Sequence, residues 1–275
     1  MMSRQERRAR LRAAAQKAVK DGIAVQAQHG GLQETIGLAK ILIDILEGSA
    51  RERASDAARE ANRVFDRSLD RYGTLETPAC GRGCAFCCHT PVSATAPEVL
   101  LIATELRRLR MTQEMASRIN AADEITREIG FVARYTFRHA CPLLVDSICS
   151  VYTARPAACR GMNSTSADAC RASFENEKID ITKVAEPLLL RGAHGYAMLA
   201  ALQATGYPPE FYELNHALRL AIQTPDAEER WLDGQNIFVD VEKDHGEQNN
   251  FEREESRRMI LDFADMARGK LPLPS

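Results

Sequence analysis

Apolar positions recur at helical spacing along most of this chain. Leu32 to Leu46 has apolar residues at 32, 36, 38, 39, 42, 43, 45 and 46, dense enough for a buried helix. Arg51 to Arg71 continues with Ala54, Ala57, Ala58, Ala61, Val64, Phe65 and Leu69, and Tyr72-Gly73 reads as its stop. Thr95, Pro97 and Glu98 predict a capped helix start, with Pro97 in the first turn and Glu98 as the return partner of the cap. That helix is expected to reach about Arg110. Thr112 predicts the cap of a further helix running from about Gln113 to Ile129, stopped by Gly130. Three more helices are expected over 184–205, 209–223 and 251–268.

Between these the pattern weakens. Segments 143–145 and 148–152 are short and apolar, and read as two small strands or irregular loop. Arg155 to Arg160 predicts a short helix with Pro156 in its first turn. Pro91 to Pro97, Thr165 to Ala172 and 233–250 read as loop. Ser3 to Lys20 is basic and reads as a solvated helix or arm. The expected fold is mostly α. A helical region, 1–73, and a second, 176–275, flank an irregular cysteine-rich middle, 74–175, and the three form one compact domain.

Composition narrows the function classes. The chain has 275 residues, 36 Lys and Arg against 38 Asp and Glu, and a formal net charge of −2. That balance argues against a dedicated nucleic-acid binder, which carries a basic excess. No uncharged apolar window reaches the roughly 18 residues of a membrane span. No apolar stretch follows the N-terminal arginines, so an exported protein is not expected and a cytoplasmic one is. Disulfides are rare in that reducing compartment, and eight cysteines there call for another role.

All eight lie between Cys80 and Cys170. The first group is Cys80, Cys84, Cys87 and Cys88; on a helix their spacing projects them from one side. Even with Gly81 and Gly83 breaking the first turn, Cys84, Cys87 and Cys88 can converge. Thiolates packed so closely repel unless a metal neutralises them. The second group is Cys141, Cys149 and Cys159, with Cys170 eleven residues further on. Tetrahedral zinc sites and cubane iron–sulfur clusters each take four thiolates, so the two groups can share one site or supply two. Adjacent Cys87 and Cys88 suit several metal atoms, or separate sites, better than one ion. All eight cysteines are candidate ligands.

The arrangement Cys80-x₃-Cys84-x₂-Cys87-Cys88, followed by Cys141-Pro-Leu-Leu and Cys149-x₂-Tyr152-x₂-Arg155-Pro156-x₂-Cys159-Arg160, resembles the bacterial cysteine-cluster family. That family is described as a zinc- or iron-chelating domain with a CxxCxxCC signature, and flagellin lysine N-methylases carry a similar cluster. This chain has three residues between Cys80 and Cys84 where the signature has two. The resemblance implies zinc or iron, an iron–sulfur cluster included, as the bound group. It also implies, as an alternative, a metal-dependent enzyme that modifies a protein substrate, with S-adenosylmethionine as a cofactor under that alternative alone. A third reading is an interaction module whose metal is structural and whose helical flanks meet a protein partner.

The neighbours of the cysteines add further candidates. His89 and His139 stand within two residues of a cysteine and could ligate or hydrogen-bond. His194 and His216 sit on apolar helices as packing residues. Tyr152, Arg155 and Arg160 flank the second group, where arginine offsets thiolate charge. No glycine-rich phosphate loop is present.

Overall fold

The computed structural model describes residues 31–131, 133–175, 179–243 and 253–273. Its centre is a helix that is apolar on nearly every side. α8 (Ala185–Thr205) buries the unbroken run Ala197 to Leu202, as a helix surrounded by protein must. Pro187 sits in its first turn and Gly206, at φ +81°, ends it. Against α8 pack α1 (Gly31–Leu46) and α11 (Arg253–Ala267). α1 contributes Leu38, Ala39, Leu42, Ile43 and Leu46 to the core.

A second layer joins α2 (Arg53–Tyr72), α3 (Ala96–Arg108), α4 (Thr112–Thr126) and α9 (Leu214–Gln223). The alanines of α2 let it approach α3 closely; Ala54, Ala57 and Ala58 are fully buried. The short α10 (Ala227–Leu232) brings Trp231 into the core, stacked on Tyr207 at 4.4 Å.

Two short strands tie this layer together. β1 (Ser93–Thr95) pairs antiparallel with β4 (Phe211–Glu213), placing Ser93 opposite Glu213 and Thr95 opposite Phe211. Each strand runs straight into a helix, and each helix start is satisfied by a glutamate. The Thr95 N–H and hydroxyl donate to Glu98 Oε2 at 2.8 Å each, the expected capping box. Glu213 accepts the N–H groups of Asn215 and His216 at 3.0 and 2.8 Å.

The mostly helical reading is right, and most helix positions follow the periodicity. Some expectations are corrected. Thr165 to Ala172 is not all loop: α7 (Ala167–Glu175) occupies all of it but Thr165 and Ser166. The expected helix over 209–223 begins as β4, because Phe211 to Glu213 find a pairing partner in what read as the loop Pro91 to Pro97. Met111, not Thr112, occupies the cap position of α4, which ends at Thr126, before Gly130 turns the chain at φ +74°. Residues 80–85 are not helical; only Phe86–His89 forms a 3₁₀ turn. α5 (Arg134–Phe137) and α10 were not foreseen. The basic segment Ser3 to Lys20 lies outside the described residues. Among the described residues no helix is long and apolar enough to cross a membrane.

Candidate metal centre

The first cysteine group sits on a turn rather than a helix. Cys84 N–H donates to Gly81 O at 3.0 Å, and Gly83 takes φ +86°, a conformation that disfavours any residue with a Cβ. The 3₁₀ turn Phe86–His89 then carries Cys87 and Cys88. The His89 ring shares a hydrogen bond with the carbonyl of Ala85 at 3.0 Å and packs edge-on against Phe174. Phe86 meets the same ring, so α7 lies against this turn.

The second group sits on a hairpin and a one-turn helix. β2 (Leu144–Val145) pairs with β3 (Ile148–Cys149), Leu144 opposite Cys149. Asp146 and Ser147 both take positive φ, 48° and 60°, the geometry of a tight two-residue hairpin turn. Arg118 on α4 clasps the hairpin from below, donating to the carbonyls of Pro142 at 3.0 Å and Leu144 at 2.5 Å. α6 (Ala157–Arg160) carries Cys159. Its first N–H, from Ala157, donates to Glu98 Oε1 at 2.8 Å, so one buried carboxylate serves two helix starts. At its other end a Cβ on Gly161 would stand 2.5 Å from Arg191 Cβ and 2.7 Å from Pro187 O, so only glycine lets α6 press onto α8 there. Asn163 fastens the following segment. Its amide donates to Gly161 O and Val184 O at 3.0 Å each and accepts Val184 N–H at 2.6 Å.

The two groups meet. Cys141 N–H donates to Cys88 O at 2.7 Å, across more than fifty residues of chain. Cys84, Cys87, Cys88, Cys141, Cys149 and Cys159 all line one cleft, which holds about 1090 Å³ of empty space, open solvent included. Its lining also carries the cations Arg82, Arg155 and Arg191. Cys80 and Cys170 lie off the cleft, together: Cys80 feels the thiols of Cys84, Cys87 and Cys170, and Ser164 N–H donates to its sulfur. Among the described residues no three His, Cys, Asp or Glu side chains stand close enough, as placed, to hold an ion.

The electrostatics follow from burial and crowding. Burial pushes the Cys141 thiol up to about 12, and raises those of Cys159, Cys149 and Cys80. Cys87 is raised chiefly by its hydrogen bond with the Cys88 thiol. Arg155 works the other way on Cys87, Cys149 and Cys159. Its guanidinium lies 3.6 Å above the Tyr152 ring and its Nε donates to Tyr152 O at 3.2 Å, which aims it at the cleft. Deeper in, the buried ion pair of Arg134 and Glu213 lies beside Cys141.

These thiols are therefore protonated when free, and each one that takes up a metal must release its proton. An all-sulfur donor set of this kind fits zinc and iron, which favour thiolate, rather than magnesium or calcium.

The sequence located the cysteines but not their supports. Arg118, Asn163 and the Glu98 link to Ala157 act over 24, 21 and 59 residues, and no local pattern marks them. From the sequence, Arg160 is expected as a charge beside the thiols. It instead binds Asp66 and the carbonyls of Thr153 and Arg155, fixing the backbone around Cys159. His194 and His216 are buried packing residues, as expected. Neither His89 nor His139 lines the cleft.

No curated protein and no solved structure matches the chain. Over residues 79–184, a stretch that holds all eight cysteines, the chain matches the CxxCxxCC family, whose description is "putative zinc- or iron-chelating domain".

Proposed function

We propose that this protein binds zinc or iron through the thiolates of its two cysteine groups. One observation supports the reading above all others: six cysteines from two distant segments line a single cleft, joined by the Cys141 to Cys88 hydrogen bond. A chain without such a ligand gains nothing by crowding thiols that raise one another's proton affinity. Bound metal would neutralise the thiolates and, as an iron–sulfur cluster, would carry electrons. The chain supplies the rest. Arg155 offsets negative charge in the cleft, and backbone N–H groups of Leu143, Val151 and Ser164 donate to the sulfurs of Cys141, Cys149 and Cys80.

Purification without oxygen, with elemental analysis and an absorption spectrum, tests the reading. Stoichiometric zinc or iron is expected, and visible absorption would assign a cluster. Cys87→Ser is expected to lose metal and lower stability; unchanged metal content would remove Cys87 from the site.

A second reading is favoured by the room in the cleft beside the thiols. A structural site is closed, whereas a catalytic one keeps room beside the metal. Space beside Arg155 and the exposed ring of Tyr152 suits a metal-dependent enzyme acting on a protein side chain, and flagellin lysine N-methylases carry a similar cysteine cluster. Methyl transfer from S-adenosylmethionine to a lysine-bearing peptide, assayed on metal-loaded protein, checks it.

A further inference from the structure

The thiols account for only part of the cleft. Ile102, Phe131, Leu143, Val151 and Leu214 line it too, and all five are buried core residues. The cleft therefore reaches from the cysteines to the apolar interior, and an ion held by sulfur needs none of that wall. Its charged lining is of one sign. Among the described residues Arg82, Arg155 and Arg191 line it, and no Asp, Glu or Lys does. Arg155 is committed: it lies over Tyr152 and acts on Cys87, Cys149 and Cys159. The other two are not, since among the described residues no hydrogen bond or ion pair holds the guanidinium of Arg82 or Arg191. Arg191 is fixed at its root. Gly161 leaves room for its stem, whose Cβ and Cδ lie 2.5 and 3.2 Å from where a Cβ on that glycine would stand. An unpaired guanidinium beside an apolar hollow suits a carboxylate or phosphate, which it grips through two parallel hydrogen bonds. One divalent ion on four thiolates leaves two negative charges, fewer than the three guanidinium groups offset, so the lining stays positive with metal in place.

We propose that this cleft takes, beside its metal, a small organic anion: an apolar body against Ile102, Phe131, Leu143, Val151 and Leu214, with a carboxylate or phosphate head met by the arginines of the lining. This rests on the metal-binding reading above and names the ligand class of the same site. The apolar wall supplies affinity through the area it removes from water, and the arginines select the sign of the head. The enzyme reading is sharpened as well. A lysine ammonium would meet three like charges and no carboxylate in this cleft, whereas an acidic substrate is drawn to it.

The test titrates the full chain, purified without oxygen and analysed for metal, with octanoate, octyl phosphate and octylammonium in a calorimeter. At least one of the two anions is expected to bind about tenfold or more tightly than octylammonium, and the tighter anion identifies the head. The double variant Arg82→Gln, Arg191→Gln is expected to weaken that anion by about tenfold with its metal content unchanged; Arg155 is left in place because it acts on the thiols. Octylammonium binding as tightly as both anions, or a double variant that binds like wild type, would overturn the proposal. Wild type alone locates the ligand. With metal removed, the tighter anion at saturation is expected to slow alkylation of Cys149 and Cys159, which line the cleft, and not that of Cys80 and Cys170, which lie off it. Unchanged rates at Cys149 and Cys159 would overturn the placement. Protein that carries no metal yet binds the anion would remove the metal-binding reading alone, and metal-loaded protein that binds neither anion would remove this inference alone.

Discussion

The helical frame and the cysteine-bearing segments are held by different forces. In the frame, α1, α2, α3 and α8 bury whole apolar faces, and Leu42, Leu100, Ile102 and Leu202 are sealed from solvent. Stability there is spread over many contacts, each worth little alone. The segments that carry the cysteines bury few large side chains. They hang instead on single polar attachments: Arg118 under the hairpin, Glu98 at α6, Asn163 at Val184 and Ser164 at Cys80. Damage to the frame should therefore cost global stability, whereas loss of one attachment should loosen the thiols and leave the frame folded.

Leu100→Ala attacks the frame where the contrast is greatest. Leu100 is fully buried on α3. Its truncation is expected to cost about 2–5 kcal/mol, read as a lower urea midpoint, with metal lost along with the fold.

Acid provides a milder probe of the frame. His194 is buried on α8, its ring 5.2 Å from that of Phe65. Burial depresses its proton affinity to about 4, helped by the charge of Arg160 and opposed by its bond to Ala61. Because the folded value lies below the ordinary one, its contribution is complete above about pH 6.5 and fades as pH falls towards 4. The loss is on the order of 3 kcal/mol. His194→Gln is expected to flatten that stretch of the stability–pH curve; an unchanged slope would clear His194 of the effect.

Glu98→Gln targets an attachment. The amide keeps one acceptor oxygen for two helix starts, so either Thr95 or Ala157 loses its partner. A cost of about 1–3 kcal/mol is expected, smaller than that of Leu100→Ala. Cys159 in metal-free protein should be alkylated faster, while exchange of the amides in α1 and α8 stays unchanged. Equal loosening of α8 would erase the distinction between the two regions.

The same division explains what the sequence disclosed. Apolar periodicity reports burial of helix faces, so α1, α2, α8 and α9 were legible from residues such as Leu38, Phe65 and Leu218. The cap at Thr95 and Glu98 was legible because both partners lie within one turn. β4 was not: its three residues are half-buried or buried with no alternation, and its pairing partner is over a hundred residues away. α7 was hidden because it has no fully buried residue. The spacing of the cysteines marked two groups and left open whether they share one site; the cleft that six of them line was not legible from it. The placing of Cys80 and Cys170 off the cleft depends on the path of 160–170, which Asn163 and Ser164 fix through distant backbone groups.

The hydrogen bond from Cys141 to Cys88 bears on how the cargo arrives. It joins main-chain atoms, so it asks nothing of the thiols and forms whether or not they are ionised. An incoming ion meets segments that are already docked and has only side chains left to turn. Delivery can then follow synthesis, and removal need not erase the docking. For the metal proposed above, loading and removal would then ask for side-chain movement at a docked backbone rather than for refolding.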